Sequence, residues 1–377
     1  MKNVAESWLV YRLTHSAFLL GTAWFCVQIP VFVLGPIGGL VADRFSRYRL
    51  VIVTQILSML QAFALAALTI SGKVQVWQLL TLATILGVIN AFDTPARQAL
   101  VIHLTSKEDL INAISLNSAT FNLARIVGPA VAGLVVAAVG EGMCFLLNGV
   151  SFLAVIGCLL AMRMPPMAGE TTGSPLEHLL DGFRYAWREV EVRRVLGLMA
   201  ASTLASMPVL VLAPFFADDI FHRGSRALGF LMGAMGIGAV AGTLALARTT
   251  RLTRLPRVMT IAGLGMGVTY LLFAFSPSFY LSLAVMPLIG YALMSQMASA
   301  NTSVQTLISE SYRGRVMALY SMTVVGLGPF GSLASGALAG RFGPRAAVAI
   351  GGVAALVAAA VYGASVSSSV RRNAVAA

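Results

Sequence analysis

Long apolar runs, separated by short polar connections, repeat along almost the whole chain. Runs of about 18 or more apolar residues are long enough to cross the roughly 30 Å hydrocarbon core of a membrane as helices. The sequence therefore predicts an all-α integral membrane protein with eleven full spans. These spans are residues 16–42, 50–70, 75–98, 112–139, 143–162, 195–217, 227–248, 257–275, 279–303, 315–340 and 346–366.

A shorter apolar segment, residues 1–13, precedes these spans. As a helix it would measure about 20 Å, which is less than the thickness of the membrane core. We interpret it as the second half of a first transmembrane helix. On this interpretation we expect the front of that helix to be missing, through either a wrongly assigned start or a real truncation.

The one sizeable polar stretch, residues 163–194, falls at the midpoint of the chain. Ser174 and Glu177 form a capping box with Pro175 at the first helical position, and an apolar stripe follows. This pattern predicts an amphipathic surface helix that joins two half-bundles, with partner recruitment as the alternative role. The expected divisions are an N-terminal bundle at 1–162, the linker at 163–194, a C-terminal bundle at 195–366 and a tail at 367–377.

The composition agrees with a membrane protein. Hydrophobic residues make up 58% of the chain and charged residues 11%, against roughly 25% charged in a soluble protein. The net charge of +12 does not indicate nucleic-acid binding, because the basic residues are dispersed among the connections. Most of them fall on the side of loop 43–49, so the positive-inside rule places this loop, the linker and the C-terminus in the cytoplasm. We expect a multi-pass protein of the cytoplasmic (inner) membrane of a bacterium.

Nothing in the sequence indicates an enzyme, a metal site or a cofactor. The cysteines lie in apolar runs without metal-ligand spacing, which is typical of core thiols. The histidines form no HExxH pattern, and there is no Walker loop for ATP.

A charged corner connects the first two full spans. Placing an acidic side chain at the membrane boundary costs free energy, so such a residue is usually functional. The corner reads Gly39-x-x-x-Asp43-Arg44-x-Ser46-Arg47-x-Arg49 and resembles the signature loop between helices 2 and 3 of the major facilitator superfamily. Ser46 stands where that family usually has glycine. The resemblance implies a secondary transporter with two pseudo-symmetric six-helix bundles, in which this loop acts in gating.

The two halves of the chain also resemble each other. Residues 98–133 run parallel to residues 305–333, as expected where two inverted or duplicated halves form a site at their interface. The second copy of the charged corner, residues 238–248, lacks the aspartate. The acid of the corner therefore exists in one half only.

Arg125, several residues inside a span, is the strongest candidate for a transport residue. An ionised arginine facing lipid would cost several kcal/mol, so it should face the bundle interior. Helical spacing puts Ser118 and Asn122 on the same face. Asp93 is the nearest acid, and it could pair either with Arg125 or, at a spacing of four, with Arg97. The pair would line or gate a path or fasten two helices, and protonation of Asp93 would break it.

Residues 124–133 resemble part of the helix-5 motif of the superfamily's antiporters. Gly128, Pro129 and Gly133 match, whereas Ala124 and Ala132 replace glycines of the motif. The resemblance implies export. The alternative is a proline kink with no bearing on the direction of transport.

Polar positions on one face of span 279–303 are candidates for a cavity lining. They are Tyr291, Ser295, Ser299 and Thr302. The alternative is that they hold helices together, as serine and threonine often do in membranes.

The run from Asp93 to Ala130 is similar to the bacterial branch of enterobactin-type exporters and related secretion proteins. This similarity implies a proton-driven exporter of a drug, siderophore or secondary metabolite that works as a monomer. An uptake permease for a small polar solute and a transport-inactive membrane sensor or scaffold are the alternatives.

Overall fold

The computed structural model describes residues 1–103, 110–162, 184–185, 187–247, 254–308 and 312–376, and within these it is helical, without strands. The side chains of Asp43, of Ala247 and of residues 101–119, 121–122, 125–126 and 368–376 lie outside the description. The long helices are α1 Lys2–Thr14, α2 Ala17–Arg44, α3 Arg47–Ile70, α4 Val76–His103, α5 Leu110–Ala161, α6 Val190–Val211, α7 Gly224–Ala247, α8 Leu255–Ala274, α9 Phe279–Leu307, α10 Arg313–Gly326, α11 Gly328–Phe342 and α12 Pro344–Ala376. A short helix, Ala213–Phe215, and a π-helical turn, Phe216–Ile220, follow α6.

Length and composition give ten candidate membrane spans among the described residues, one fewer than the sequence predicts. The difference arises at Gly140. Helix α5 has 52 residues, about 78 Å, which is too long for a single crossing. Gly140 interrupts it with φ 83° and ψ 171°, a conformation that glycine adopts without steric cost. The two limbs of α5 therefore cross separately, and the predicted boundary between spans 112–139 and 143–162 is confirmed.

One predicted span, 315–340, is divided in the structure. Helix α10 ends at Gly326 and α11 begins at Gly328, with Leu327 between them. Pro329 is in the first turn of α11, where its missing N–H removes no helical hydrogen bond. In the other half, Pro129 lies in the interior of α5. The Gly328-Pro329 pair thus starts a helix in the C-terminal half, whereas the equivalent Gly128-Pro129 pair lies within a helix in the N-terminal half.

Equivalent helix crossings occur in the two halves. A Cβ atom at Gly38 of α2 would overlap the carbonyl group of Ala91 in α4. A Cβ atom at Gly242 of α7 would lie 2.5 Å from the carbonyl oxygen of Tyr291 in α9. Small residues allow this close backbone approach between membrane helices. The matching crossings are those of two pseudo-symmetric bundles, so the predicted fold class is confirmed.

The two ends of the helices differ. The basic end carries the turn at Arg44–Arg49, and the opposite end, which we call the Gly140 end, carries the turns at His15, Gly72, Gly140 and Gly343. Most of the predicted linker helix lies outside the described residues; residues 184–185 and 187–188 are helical.

The halves meet where α5 packs on α7 and where α2 packs on α11. A Cβ atom at Gly133 would lie 2.6 Å from the Cα of Gly229, and one at Gly336 would lie 2.6 Å from the carbonyl oxygen of Ala17. Both contacts lie within a few turns of the Gly140 end. The backbones of the two half-bundles are therefore in direct contact at the Gly140 end.

Candidate functional site

A cavity of about 470 Å³, which we call the central cavity, lies between the half-bundles. Residues of α1, α2 and α5 form one wall, and residues of α6 and α7 form the other. The lining includes Trp24, Pro129, Leu210, Met232, Met235 and Ala239. A cavity between two packed half-bundles is where transporters of duplicated architecture bind their substrates.

A smaller cavity of about 210 Å³, the side pocket, opens between α1 and α2. It shares Asn3, Ser7 and Trp24 with the central cavity, so the two spaces adjoin. The indole Nε1 of Trp24 donates a hydrogen bond to Ser7 Oγ at 3.1 Å. This bond fixes the tryptophan ring between the two cavities.

Glu6 is a buried acid that lines the side pocket. Its Oε2 lies 2.5 Å from the Nζ of Lys2, one helical turn away, and its Oε1 has no hydrogen-bond partner. Burying a charge is costly unless it is paired, so this pair partly offsets the cost. Sequence reasoning missed Glu6, although an acid in a membrane helix, four residues after a lysine, is a signal for it.

Asp93 lies buried between α3 and α4. Its Oδ1 accepts hydrogen bonds from Thr54 Oγ1 at 2.8 Å and from Gln55 Nε2 at 2.9 Å. Its Oδ2 lies 3.3 Å from Nε of Arg97. Of the two partners that the sequence left open, the structure shows Arg97, in the same helix. Arg125 remains a predicted partner because its side chain is outside the described part of the chain.

The remaining candidate transport residues and the antiporter-like motif lie in α5, the helix that carries Arg125. Ser118, Asn122 and Arg125 belong to the first limb of α5, but none of their side chains is described. Pro129, one turn after Arg125, lines the central cavity. A Cβ atom at Gly128 would lie 3.4 Å from the Met1 nitrogen. Gly133 forms the contact between the halves.

The charged corner takes the predicted position between two helices. Arg44 and Arg49 are exposed, and Arg47 Nε donates to the carbonyl oxygen of Ala42 at 3.3 Å. A Cβ atom at Gly39 would have no heavy atom within 4 Å, so the close packing belongs to its neighbour Gly38. The side chain of Asp43 is not described, and its gating role stays a prediction.

The four polar positions of α9 have different surroundings. Tyr291 is exposed, Ser295 and Ser299 are buried, and Thr302 donates to the carbonyl oxygen of Ala298 at 3.0 Å. None of the four is among the described residues lining the central cavity. Ser295 lies against Gly242 of α7, which favours a role in helix contact.

A hydrogen-bonded contact joins the halves at the Gly140 end, and we call it the tyrosine tie. The hydroxyl of Tyr11 lies 2.9 Å from Oδ2 of Asp218 and 2.5 Å from Oδ1 of Asp219. A π-helical turn, Phe216–Ile220, presents the two carboxylates. Tyr11 is buried and belongs to the N-terminal half, whereas the aspartates belong to the C-terminal half. The tyrosine tie adds a polar bond to the glycine contacts that close this end.

Replacing Tyr11 by phenylalanine should loosen the Gly140 end. A hydrogen bond to a charged acceptor contributes about 1.5–3 kcal/mol, so loss of the bond that the Tyr11 hydroxyl donates should shift the population toward opening. The measurement is the reaction of a membrane-impermeant maleimide with a cysteine at Ser225, which lines an open pocket at this end. In a chain whose native cysteines are alanine, we expect labelling to rise about fivefold or more in Tyr11→Phe.

The control for this experiment is Tyr320→Phe. Tyr320 donates to the carbonyl oxygen of Met297 at 2.8 Å within one half-bundle, so its loss removes a similar bond without affecting the contact between halves. Equal labelling in Tyr11→Phe and in the parent would contradict a role for the tyrosine tie in closing this end.

Comparison with known proteins agrees with this architecture. The model of the major facilitator family described as transmembrane secretion effector matches residues 1–374. The chain is 26% identical over 366 residues to the staphyloferrin A transporter of Staphylococcus aureus, covering 96% of this chain and 90% of the relative. It is 26% identical over 355 residues to the multidrug efflux pump Tap of Mycolicibacterium fortuitum, covering 91% and 86%. It is 24% identical over 355 residues to the enterobactin exporter EntS of Escherichia coli O1:K1 / APEC, covering 94% and 85%.

Solved structures show the same fold. The nucleoside transporter NupG superimposes with a TM-score of 0.75 at 16% identity, covering 96% of this chain and 95% of NupG. A bacterial homologue of the iron transporter ferroportin, in an inward-facing state, gives 0.70 at 18% identity, covering 96% and 94%. Both the fold and the relatives are those of transporters, not of enzymes. The chain therefore belongs to the transmembrane secretion effector family of the major facilitator superfamily and is a multi-pass membrane transporter of small molecules.

Proposed function

We propose that this chain is a monomeric, proton-driven exporter of a small molecule that works by alternating access in the cytoplasmic membrane of a bacterium. The observation that carries the proposal is the central cavity, which lies between half-bundles that press together at the Gly140 end. Such halves can rock against each other and expose the site between them to one side at a time.

The distribution of charge supports the orientation. The basic end carries Arg44, Arg47, Arg49 and Arg97, and the positive-inside rule favours the cytoplasm for it. The closed Gly140 end then faces outward. In this orientation the packed Gly140 end would separate the central cavity from the outside, as an inward-facing state requires.

Export is supported by the relatives rather than by geometry. Two of the three compared relatives bear names of exporters, for a drug and for a siderophore. Of the antiporter-like motif, Pro129 lines the central cavity and Gly133 lies at the contact between the halves. The motif thus lies where it can act on the movement of the halves.

Proton coupling is supported by the surroundings of Asp93. The carboxylate is buried and held by two neutral donors, Thr54 and Gln55, besides the ion pair with Arg97. A proton added to Asp93 would remove the ion pair while leaving an acceptor for the neutral donors. Protonation of one buried group would then release the Arg97 side chain at the basic end, while the hydrogen bonds between α3 and α4 are kept.

The test is accumulation of siderophores, antibiotics and amphipathic dyes in bacteria that lack their major pumps. Cells with an empty vector, the parent chain or Arg125→Ala are compared with and without a protonophore. We expect the parent to lower accumulation of at least one compound only while the proton gradient is intact. Arg125→Ala should abolish this effect, since it removes the charge predicted to lie in the path.

The matched control is Arg345→Ala, which removes an exposed arginine at the Gly140 end and should transport like the parent. Protonophore-resistant lowering of accumulation would contradict proton drive. Higher accumulation in cells with the parent chain than in empty-vector cells would contradict export and indicate uptake.

A further inference from the structure

Glu6 places a carboxylate in the binding region. Among the described residues that line the central cavity or the side pocket, Glu6 has the one charged side chain. Its free Oε1 has no hydrogen-bond partner, and the side chain is buried. An unpaired carboxylate oxygen that is buried beside a cavity attracts a cation or a hydrogen-bond donor much more strongly than one in water.

Trp24 adds a second element of cation recognition. Its ring lines both cavities, and its Nε1 is held by Ser7. Because the ring is fixed, it offers a preformed surface next to the carboxylate. The face of an indole attracts cations, and the attraction increases when the cation is desolvated.

Lys2 occupies the other carboxylate oxygen in the present state. Its Nζ lies 2.5 Å from Oε2 of Glu6, and its side chain is nearly as buried as that of the glutamate. The pair therefore contains an internal ammonium group that competes for the same carboxylate. A substrate with a cationic group could take the place of the Lys2 ammonium beside the Glu6 carboxylate.

The opposite wall of the central cavity suits an apolar body. Leu228, Met232 and Met235 line it, and methionine side chains adapt to ligands of different shapes. The binding region thus combines a carboxylate and an aromatic ring on the N-terminal half with an adaptable apolar wall on the C-terminal half.

We infer that the transported molecule is an amphipathic cation. Its charged group lies in the side pocket against Glu6 and Trp24, and its apolar body lies in the central cavity. This inference rests on the proposed function, because it names the substrate class of the same transport site. Lys2 fills the cation position when no substrate is bound, so Lys2 and Glu6 have opposite effects on affinity.

The test uses two probes of the same shape and opposite charge, tetraphenylphosphonium and tetraphenylborate. Equilibrium dialysis measures their binding to the purified full chain in detergent. We expect the phosphonium to bind and the borate not to bind. Glu6→Gln should weaken phosphonium binding by about tenfold or more, which corresponds to the loss of one charge-assisted contact.

Lys2→Met distinguishes a binding role from a structural one. If Lys2 competes with the ligand, its removal should strengthen phosphonium binding several-fold, whereas a purely structural ion pair would be damaged by either substitution. The double variant, Lys2→Met with Glu6→Gln, keeps the volumes and buries no unpaired charge. It should fold like the parent and bind the phosphonium as weakly as Glu6→Gln. Glu191→Gln, an exposed acid at the start of α6, is the control for the change in net charge.

Several outcomes would overturn the inference: a parent chain that fails to bind the phosphonium, a preference for the borate, or a double variant that binds like the parent. Weaker binding in Lys2→Met would also overturn it. These results would not affect the proposed function, since proton-dependent lowering of accumulation in cells is measured separately. A preference for the borate would instead indicate anionic substrates.

Discussion

Replacing Gly229 by leucine should strongly slow transport in a protein that still folds. A Cβ atom at Gly229 would lie 2.7 Å from the Cα of Gly133 and 2.9 Å from the carbonyl oxygen of Pro129. Both are backbone atoms, so no side-chain rotation can relieve the overlap. Overpacking of this kind costs about 1–3 kcal/mol, which is roughly a five- to 150-fold shift against the arrangement closed at the Gly140 end. We expect the rate of efflux to fall about tenfold or more.

Gly229→Leu changes the contact between the halves, so its effect can be measured as accessibility at the Gly140 end. A cysteine at Ser225 should become more reactive toward a membrane-impermeant maleimide in Gly229→Leu, because the Gly140 end can no longer close. Gly265→Leu is the matched control, since a Cβ atom there has no heavy atom within 4 Å. Gly238→Leu, whose Cβ would overlap the backbone of Pro287 inside one bundle, should instead impair folding. Efflux by Gly229→Leu at the rate of Gly265→Leu would contradict the proposed closing of this end.

The fold was predictable because its signals are local. Apolar runs longer than a membrane is thick give the spans, and the glycine at position 140 marks a boundary that helix length alone demands. The charged corner at 39–49 indicates the superfamily. The similarity between residues 98–133 and 305–333 indicates its two halves. The structure adds that Gly38, rather than its neighbour Gly39, makes the close contact.

The site was predicted less completely, because its members come from distant parts of the chain. Tyr11 meets Asp218 and Asp219 across more than two hundred positions, and no local pattern indicates such a pairing. Glu6 was overlooked for another reason. The segment that carries it is short and polar for a membrane helix, so its acid did not stand out as an acid in a long apolar run would.

Asp93 was predicted from the sequence as a candidate residue, and the structure shows which side chains surround it. The spacing to Arg97 was visible in the sequence, whereas Thr54 and Gln55 lie in the preceding helix and could not be assigned without knowing how α3 and α4 pack. These two donors change the interpretation. A carboxylate fastened only to an arginine would be a simple ion pair, but one shared between neutral donors and a cation keeps a hydrogen-bonded position in either protonation state.

Replacing Asp93 by asparagine should therefore uncouple transport from protons without unfolding the bundle. Asparagine has nearly the same shape, and its Oδ1 can still accept from Thr54 and Gln55, but it can neither bind nor release a proton. In proteoliposomes, we expect uptake of substrate driven by a proton gradient to fall about tenfold or more. This drop corresponds to at least about 1.4 kcal/mol of lost coupling.

Exchange of labelled for unlabelled substrate across the same membrane separates this role from a structural one. Exchange requires the halves to move with substrate bound but needs no net proton flow, so Asp93→Asn should keep it near the parent rate and lose its dependence on pH. Thr54→Val, which removes one neutral donor and leaves the carboxylate, should keep the coupling and serves as the matched control. If Asp93→Asn loses exchange together with gradient-driven transport, Asp93 holds α3 and α4 together and another group carries the proton.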